Sequence, residues 1–167
     1  MKVVIVIDSF KGSLSSIEVS NVVEAGILEV YKDAKIIKIP IADGGEGTQE
    51  AMLHATQGIE QSIEICGPLL KPVQTSFGIL GDRETVVIET AKICGLTMVP
   101  HHQRNPEQTS TFGLGQAIKI ALDRGYRKFI IGLGGSATND GGVGMLQALG
   151  VKLTDKNGRP VEANGRG

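Results

Sequence analysis

At 167 residues the chain is sized for one compact domain or one and a fraction. Its residues are 41% hydrophobic but only 4% aromatic, with no Trp, so the core must be aliphatic and a base-stacking surface for nucleic acid is excluded. Seventeen Lys and Arg against eighteen Asp and Glu leave a net charge of -1 and no basic stripe for a phosphate backbone, which points to small-molecule partners.

The first residues, "MKVVIVIDSF", hold an apolar run far shorter than a signal peptide or membrane span needs, so no membrane partner is expected. Val3 to Ile7 is a continuous β-branched run, read as a strand covered on both faces, and "DSFKGS" follows at its carboxyl end. Ser15 and Glu18 have capping-box spacing for a helix that carries Ile17, Val22, Val23, Ile27 and Val30 on its apolar side. Ile36 to Ile41 repeats the strand, ends in "ADGGEG", and leads into a short helix with Ala51, Met52 and Ala55. The segments "QSIEICG", "VQTSFGIL" and "ETVVIETA" then follow one another with no helix between them, which predicts an antiparallel meander. Glu89, in the last of these, reads as a strand-end surface position in preference to an interior charge awaiting a partner.

Residues 95 to 111 are loop-rich, and "TFGLGQAIKIALDRG" resumes a helical period that Gly125 stops. Lys128 to Leu133 reads as another buried strand, and a helix from about Gly142 to Leu149 is stopped by Gly150. A final strand "VKL" is expected before an Asn157-Gly158 turn. The order implies an α/β fold: an open, mostly parallel sheet of flavodoxin-like or Rossmann-like type, interrupted by a smaller β-rich insertion. Cys66 and Cys94 lack metal-ligand spacing and read as reduced thiols of a cytoplasmic protein. His54, His101 and His102 have no spacing partner and receive no role.

Ligands of such sheets bind outside the carboxyl ends of the strands, where "DSFKGS", "ADGGEG" and "GGSATNDGG" should meet. Residues 130 to 145 place six glycines around Ser136, Thr138, Asn139 and Asp140, a density suited to backbone amides converging on an anion. Neither standard nucleotide fingerprint is present: the loop lacks the lysine of a P-loop, and "GLGQAI" has Ile118 where a dinucleotide site has its last glycine. Lys11 supplies a cation, and Asp8, Asp43, Glu46 and Asp140 supply carboxylates, a set able to carry phosphoryl transfer with Mg²⁺. Plainer readings fit the same residues. Asn139 and Asp140 fit a helix cap, Asp43 and Glu46 fit the cap of the helix after "GGEG", and Lys11 fits a solvated loop position.

Six motifs in order, "DSFKGSLSS", "PIADGGEGT", "GPLLKPV", "FGIL", "QTSTFGLG" and "GLGGSATNDGGVGMLQALG", resemble those of the bacterial glycerate kinases of the type-1 family, over nearly all of the chain. The resemblance implies transfer of the γ-phosphate of ATP, with Mg²⁺, to a hydroxyl of D-glycerate. It also implies a two-domain architecture with the active site in the cleft between the domains. Here 1-58 and 92-167 would be the α/β part, and 59-91 the β-rich start of the second domain. On this reading Gly134, Gly135, Ser136, Thr138 and Asn139 hold phosphate, while Lys11 offsets developing charge. Asp140 is general base or metal contact. Asp8, Ser9, Asp43, Gly44, Gly45 and Glu46 form the glycerate shell, with Asp43 also reaching the metal. A homo-oligomer is compatible with the resemblance. Family members are about twice as long, so the chain is expected to be the N-terminal part of the fold, truncated, with its isolated activity open. An inactive fragment, or another small-carboxylate or phosphate-binding α/β protein, remains the alternative. The sequence departs from the family pattern at Leu70, where glycine is usual, and at Ser110, Phe112 and Leu114, where Thr, Tyr and Thr are common.

Overall fold

The computed structural model describes residues 1–167. Strand β1 (Lys2–Ile7) lies parallel to β2 (Lys35–Pro40), with Val4 opposite Ile37 and Val6 opposite Ile39. Helix α1 (Ser16–Val30) is the crossover between them, and it starts where the capping-box spacing predicted. The Glu18 N–H donates to Ser15 Oγ at 3.2 Å, and the Ser15 N–H donates to a Glu18 carboxylate oxygen at 2.7 Å. Ser16 Oγ then donates to the Ile7 carbonyl, which pins the start of the helix to the end of the strand.

The face of α1 that packs inward is not the expected one. Ser16, Val19 and Ser20 are buried, whereas Val22 and Val30 are 64% and 73% exposed. Ser20 returns its hydroxyl to the Ser16 carbonyl, so these small side chains satisfy their own polar groups and allow close packing on a sheet only two strands wide.

Helix α2 (Thr48–Thr56) follows the second loop, and the meander is present as β3 (Ile59–Cys66), β4 (Pro72–Ile79) and β5 (Thr85–Glu89). Its pairs are antiparallel, with Ile63 opposite Thr75 and Gly78 opposite Val87. Asp82 closes the β4–β5 turn by accepting the Glu84 and Thr85 N–H groups and the Thr85 hydroxyl, which hold its carboxyl down at about 2. The short helix α3 (Ala91–Cys94), two 3-10 turns at Leu96–Met98 and His101–Gln103, and helix α4 (Phe112–Asp123) lead to β6 (Lys128–Gly132). Helix α5 (Val143–Ala148) comes last.

The fold is α/β, with parallel pairing in both of its sheets. Strand β6 hydrogen-bonds the last meander strand, so the sheets are β1-β2 and β3-β4-β5-β6. The main core lies between the larger sheet and α4, where Phe77, Val86, Ile88, Ile93, Ala117 and Ala121 are fully buried. Phe77 is its only fully buried aromatic side chain, and the rest of the fully buried cluster is aliphatic but for Cys94. "VKL" forms no strand: Thr154 and Pro160 make one bridge around a turn that Asp155 closes. Pro160 has no N–H to extend a ladder, and the segment has little apolar material to bury. No helix is long and apolar enough to cross a membrane.

Candidate active site

The three Gly-containing loops meet as the strand-loop-helix order implies. In the first, Asp8 accepts the Ser9 N–H at 2.7 Å, and Ser9 Oγ donates to the Glu46 carbonyl at 3.4 Å, a long bond to the second loop. Lys11 Nζ stands 3.8 Å from Asp43 Oδ2, with the side chains 72% and 60% exposed. So exposed a pair holds the lysine weakly and leaves its charge available. Asp43 Oδ1 also accepts the Gly45 N–H at 3.0 Å, and the Gly44 N–H donates to Thr48 Oγ1 at 3.1 Å.

The second and third loops touch backbone to backbone. The Gly134 N–H donates to the Gly44 carbonyl at 2.8 Å, and a Cβ on Gly134 would lie 2.6 Å from Gly45 Cα. A Cβ on Gly132 would meet the Gly44 carbonyl oxygen at 2.7 Å. Part of the glycine density therefore serves loop-on-loop contact rather than a ligand.

A cleft of about 690 Å³ opens between the first loop, the start of α2 and the meander, and Ser9, Lys11 and Glu46 line it. So do Gln49, Glu60, Glu89 and Lys92, to which the sequence assigned no function. Glu89 is 2% exposed, which corrects its reading as a surface position. Its two carboxylate oxygens accept the Gly47 N–H at 3.2 Å and the Gln49 N–H at 2.9 Å, so a strand-end carboxylate caps α2 in place of the absent side-chain N-cap. Burial raises its carboxyl above the ordinary value, against the pull of those two N–H groups. Beside it, Glu60 accepts from Lys92 Nζ at 2.7 Å, from Gln49 Nε2 at 2.9 Å and from the Ser76 hydroxyl, and the Lys92 bond leads in lowering its pKa. Gln49 Oε1 and Thr90 Oγ1 are buried without a partner.

In the third loop, Ser136 Oγ and Thr138 Oγ1 share a hydrogen bond at 2.7 Å, Thr138 N–H donates to Ser136 Oγ at 3.1 Å, and Asn139 is exposed. Ser136 and Thr138 line a second cavity of about 270 Å³ together with Arg104. Asp140 is 7% exposed, and four protein donors occupy its carboxylate. Oδ2 accepts from Thr111 N–H, Thr111 Oγ1 and Gly144 N–H at 2.9, 2.8 and 3.2 Å, and Oδ1 from Gly142 N–H at 3.1 Å. A carboxylate has about four acceptor sites, so the Asp140 geometry is that of a cap joining α4 to α5. Asp8, Asp43, Gly44, Gly45, Gly134, Gly135, Asn139 and Asp140 line neither cavity. No group of three or more His, Cys, Asp or Glu side chains gathers where it could hold a metal ion. Cys94 is buried, which pushes its thiol up to about 11, and both cysteines are free.

The sequence signals for the overlooked residues were faint. Glu89 and Lys92 flank the end of a buried β-branched run at the ligand-binding edge, while Glu60 and Gln49 reach the cleft only through the packing of the meander on α2.

The chain is 50% identical over 99% of its length to the Escherichia coli (strain K12) protein named glycerate 2-kinase, and 49% identical over 99% to a Haemophilus influenzae glycerate kinase. It spans 43% and 44% of those two proteins, less than half of each. A crystal structure from Salmonella typhimurium LT2 carrying the name glycerate kinase 2 superposes with a TM-score of 0.82 at 48% identity, covering 99% of this chain and 45% of that one. With residues 3–167 also matching the glycerate kinase family model, the chain belongs to the glycerate kinase family.

Proposed function

We propose that the protein acts in transfer of the γ-phosphoryl group of ATP to D-glycerate, at the 2-hydroxyl, giving 2-phosphoglycerate and ADP. The observation that carries this reading is a loosely held cation, Lys11, on the wall of a polar cleft within a chain of this family. The choice of hydroxyl follows the name of the Escherichia coli relative. The glycerate hydroxyl oxygen attacks the γ-phosphorus, the bond from phosphorus to the β,γ-bridging oxygen breaks, and the hydroxyl proton passes to a carboxylate of the cleft. Lys11, able to leave Asp43 at little cost, moves onto the phosphoryl oxygens as charge develops.

Ser9, Gly44, Gly45 and Glu46 shape the glycerate side, with Asp8 bracing the first loop. Gly134, Gly135, Ser136, Thr138 and Asn139 form the phosphate side. Asp140 keeps that loop in place through its four donors, one of which it would have to release to act as general base or metal contact. Asp43 would be the residue to hold Mg²⁺, and the ion would supply charge neutralisation to the phosphoryl groups. A cytoplasmic location belongs to the same reading.

The test is ADP release with and without D-glycerate, together with ³¹P NMR of the product. Glycerate-dependent ADP and a 2-phosphoglycerate signal are expected. ADP release indifferent to glycerate would replace this reading with another phosphoryl acceptor.

A further inference from the structure

The second cavity is walled by an arginine whose charge no carboxylate neutralises. Arg104 donates from Nε to the Val99 carbonyl at 3.2 Å and from Nη2 to the Leu96 carbonyl at 3.5 Å, and it enters no ion pair. The carbonyls fix the root of the guanidinium and leave Nη1 and most of Nη2 free. The 270 Å³ space it lines is of a size for a phosphoryl group, and the Ser136 and Thr138 side chains line it too. The hydroxyls of Ser136 and Thr138 are bonded to each other and border the Cys94 thiol. The N–H groups of Ser136 and Asn139 have no acceptor within the protein. The floor is rigid: the Gly135 carbonyl accepts the Leu96 N–H at 2.9 Å, the Ala137 N–H donates to the Cys94 carbonyl at 2.9 Å, and Thr109 Oγ1 donates to the Ala137 carbonyl at 2.8 Å.

An unpaired guanidinium tethered by two carbonyls, in one cavity with two hydroxyls, suits a tetrahedral oxyanion, because its planar fork matches two oxygens at once and the tether leaves it less freedom to lose on binding. Lys11 differs: it is mobile, and it lies in the other cavity.

We infer that Arg104, with Ser136 and Thr138, forms a phosphoryl-binding subsite distinct from the Lys11 cleft. The subsite deepens the proposed function, on which its assignment to a kinase rests. It assigns the stationary phosphate to Arg104 and the moving charge to Lys11. The phosphoryl group belongs either to the nucleotide or to the phosphorylated product, and the two sources are separable by experiment.

The experiment is calorimetric titration of the full chain with ADP, 2-phosphoglycerate and D-glycerate, using wild type, Arg104→Gln and Arg104→Lys, with melting temperatures as the control for folding. Loss of one charge-assisted bidentate contact should weaken binding of a phosphorylated ligand about tenfold or more. Arg104→Lys should recover only part of it, and D-glycerate affinity should stay unchanged. Weakening confined to ADP assigns the subsite to the nucleotide, and weakening confined to 2-phosphoglycerate assigns it to the product. Unchanged affinity for both, or an equal loss for D-glycerate, overturns the subsite. If glycerate turnover is absent while ADP binding still depends on Arg104, the proposed function fails and the subsite stands. If turnover is present and Arg104 is silent, only the subsite fails.

Discussion

Leu70 shows how a single residue carries a backbone constraint that side-chain contacts do not reveal. It stands where the resemblance leads one to expect glycine, and its φ is +57°, the left-handed region that costs a non-glycine residue about 1–2 kcal/mol. Its side chain is 41% exposed, so little packing is lost on removal. Leu70→Gly should therefore raise stability by about 1 kcal/mol, less part of the entropy that glycine adds to the unfolded chain, and urea unfolding measures it. Asp140 tests a carboxylate that sequence placed in the chemistry and geometry places in a cap. Asp140→Ala strands four donors and should cost about 3 kcal/mol. Asp140→Asn should lose less and keep the proposed glycerate turnover, whereas a stable Asn variant that lacks a turnover the wild type shows would return the residue to the reaction. Lys11→Met, which removes an exposed side chain, should leave the melting temperature unchanged and lower kcat/KM about a hundredfold or more. Unaltered kinetics would take Lys11 out of the site.

At the scale of elements, α2 depends on a carboxylate supplied by β5. Gly47 precedes the helix without a side-chain cap, and Glu89 receives the orphan N–H groups from across the cleft. Because burial raises the Glu89 carboxyl above its ordinary 4.5, the folded protein holds this proton more tightly than the unfolded chain. The stability linked to it is complete below the unfolded value and is lost as pH rises through the folded one. Melting of wild type and Glu89→Gln between about pH 4 and pH 8 should show the wild type losing ground to the variant as pH rises. A constant difference across the range would mean that Glu89 does not titrate differently on folding. The same helix explains why its cap was illegible: Glu89 lies forty residues beyond Gln49, and no local spacing records that contact.

On the scale of the whole molecule, one face of the smaller sheet is left apolar. Side chains alternate along β1, so Val4 and Val6, 50% and 54% exposed, share a face, and Ile39, 45% exposed, is paired with Val6 on β2. Neighbouring β-branched residues in water favour association. The 167-residue chain should self-associate with rising concentration, and Val4→Thr combined with Val6→Thr should weaken this with little change in melting temperature. Sedimentation equilibrium decides it, and a wild-type monomer at about 100 μM would count against association through this face.

Local chemistry determined the elements: β-branched runs became β1, β2, β5 and β6, the Ser15–Glu18 box set the start of α1, and Gly125 closed the helix after Asp123. The glycine-rich loops were equally plain, because close approach and positive φ demand residues without a Cβ wherever they fall. Tertiary structure alone decided which strand took β6 as its neighbour, since a buried apolar run bonds either partner equally well in sequence terms. It also decided which face of α1 was buried, and whether a carboxylate would serve a ligand or a helix. Glu89 ends β5 and Asp140 lies in the loop between β6 and α5, yet both are buried acids whose oxygens accept helix-end N–H groups. Their donors come from Thr111, Gly144, Gly47 and Gln49, and the positions of those donors follow from packing rather than from spacing along the chain.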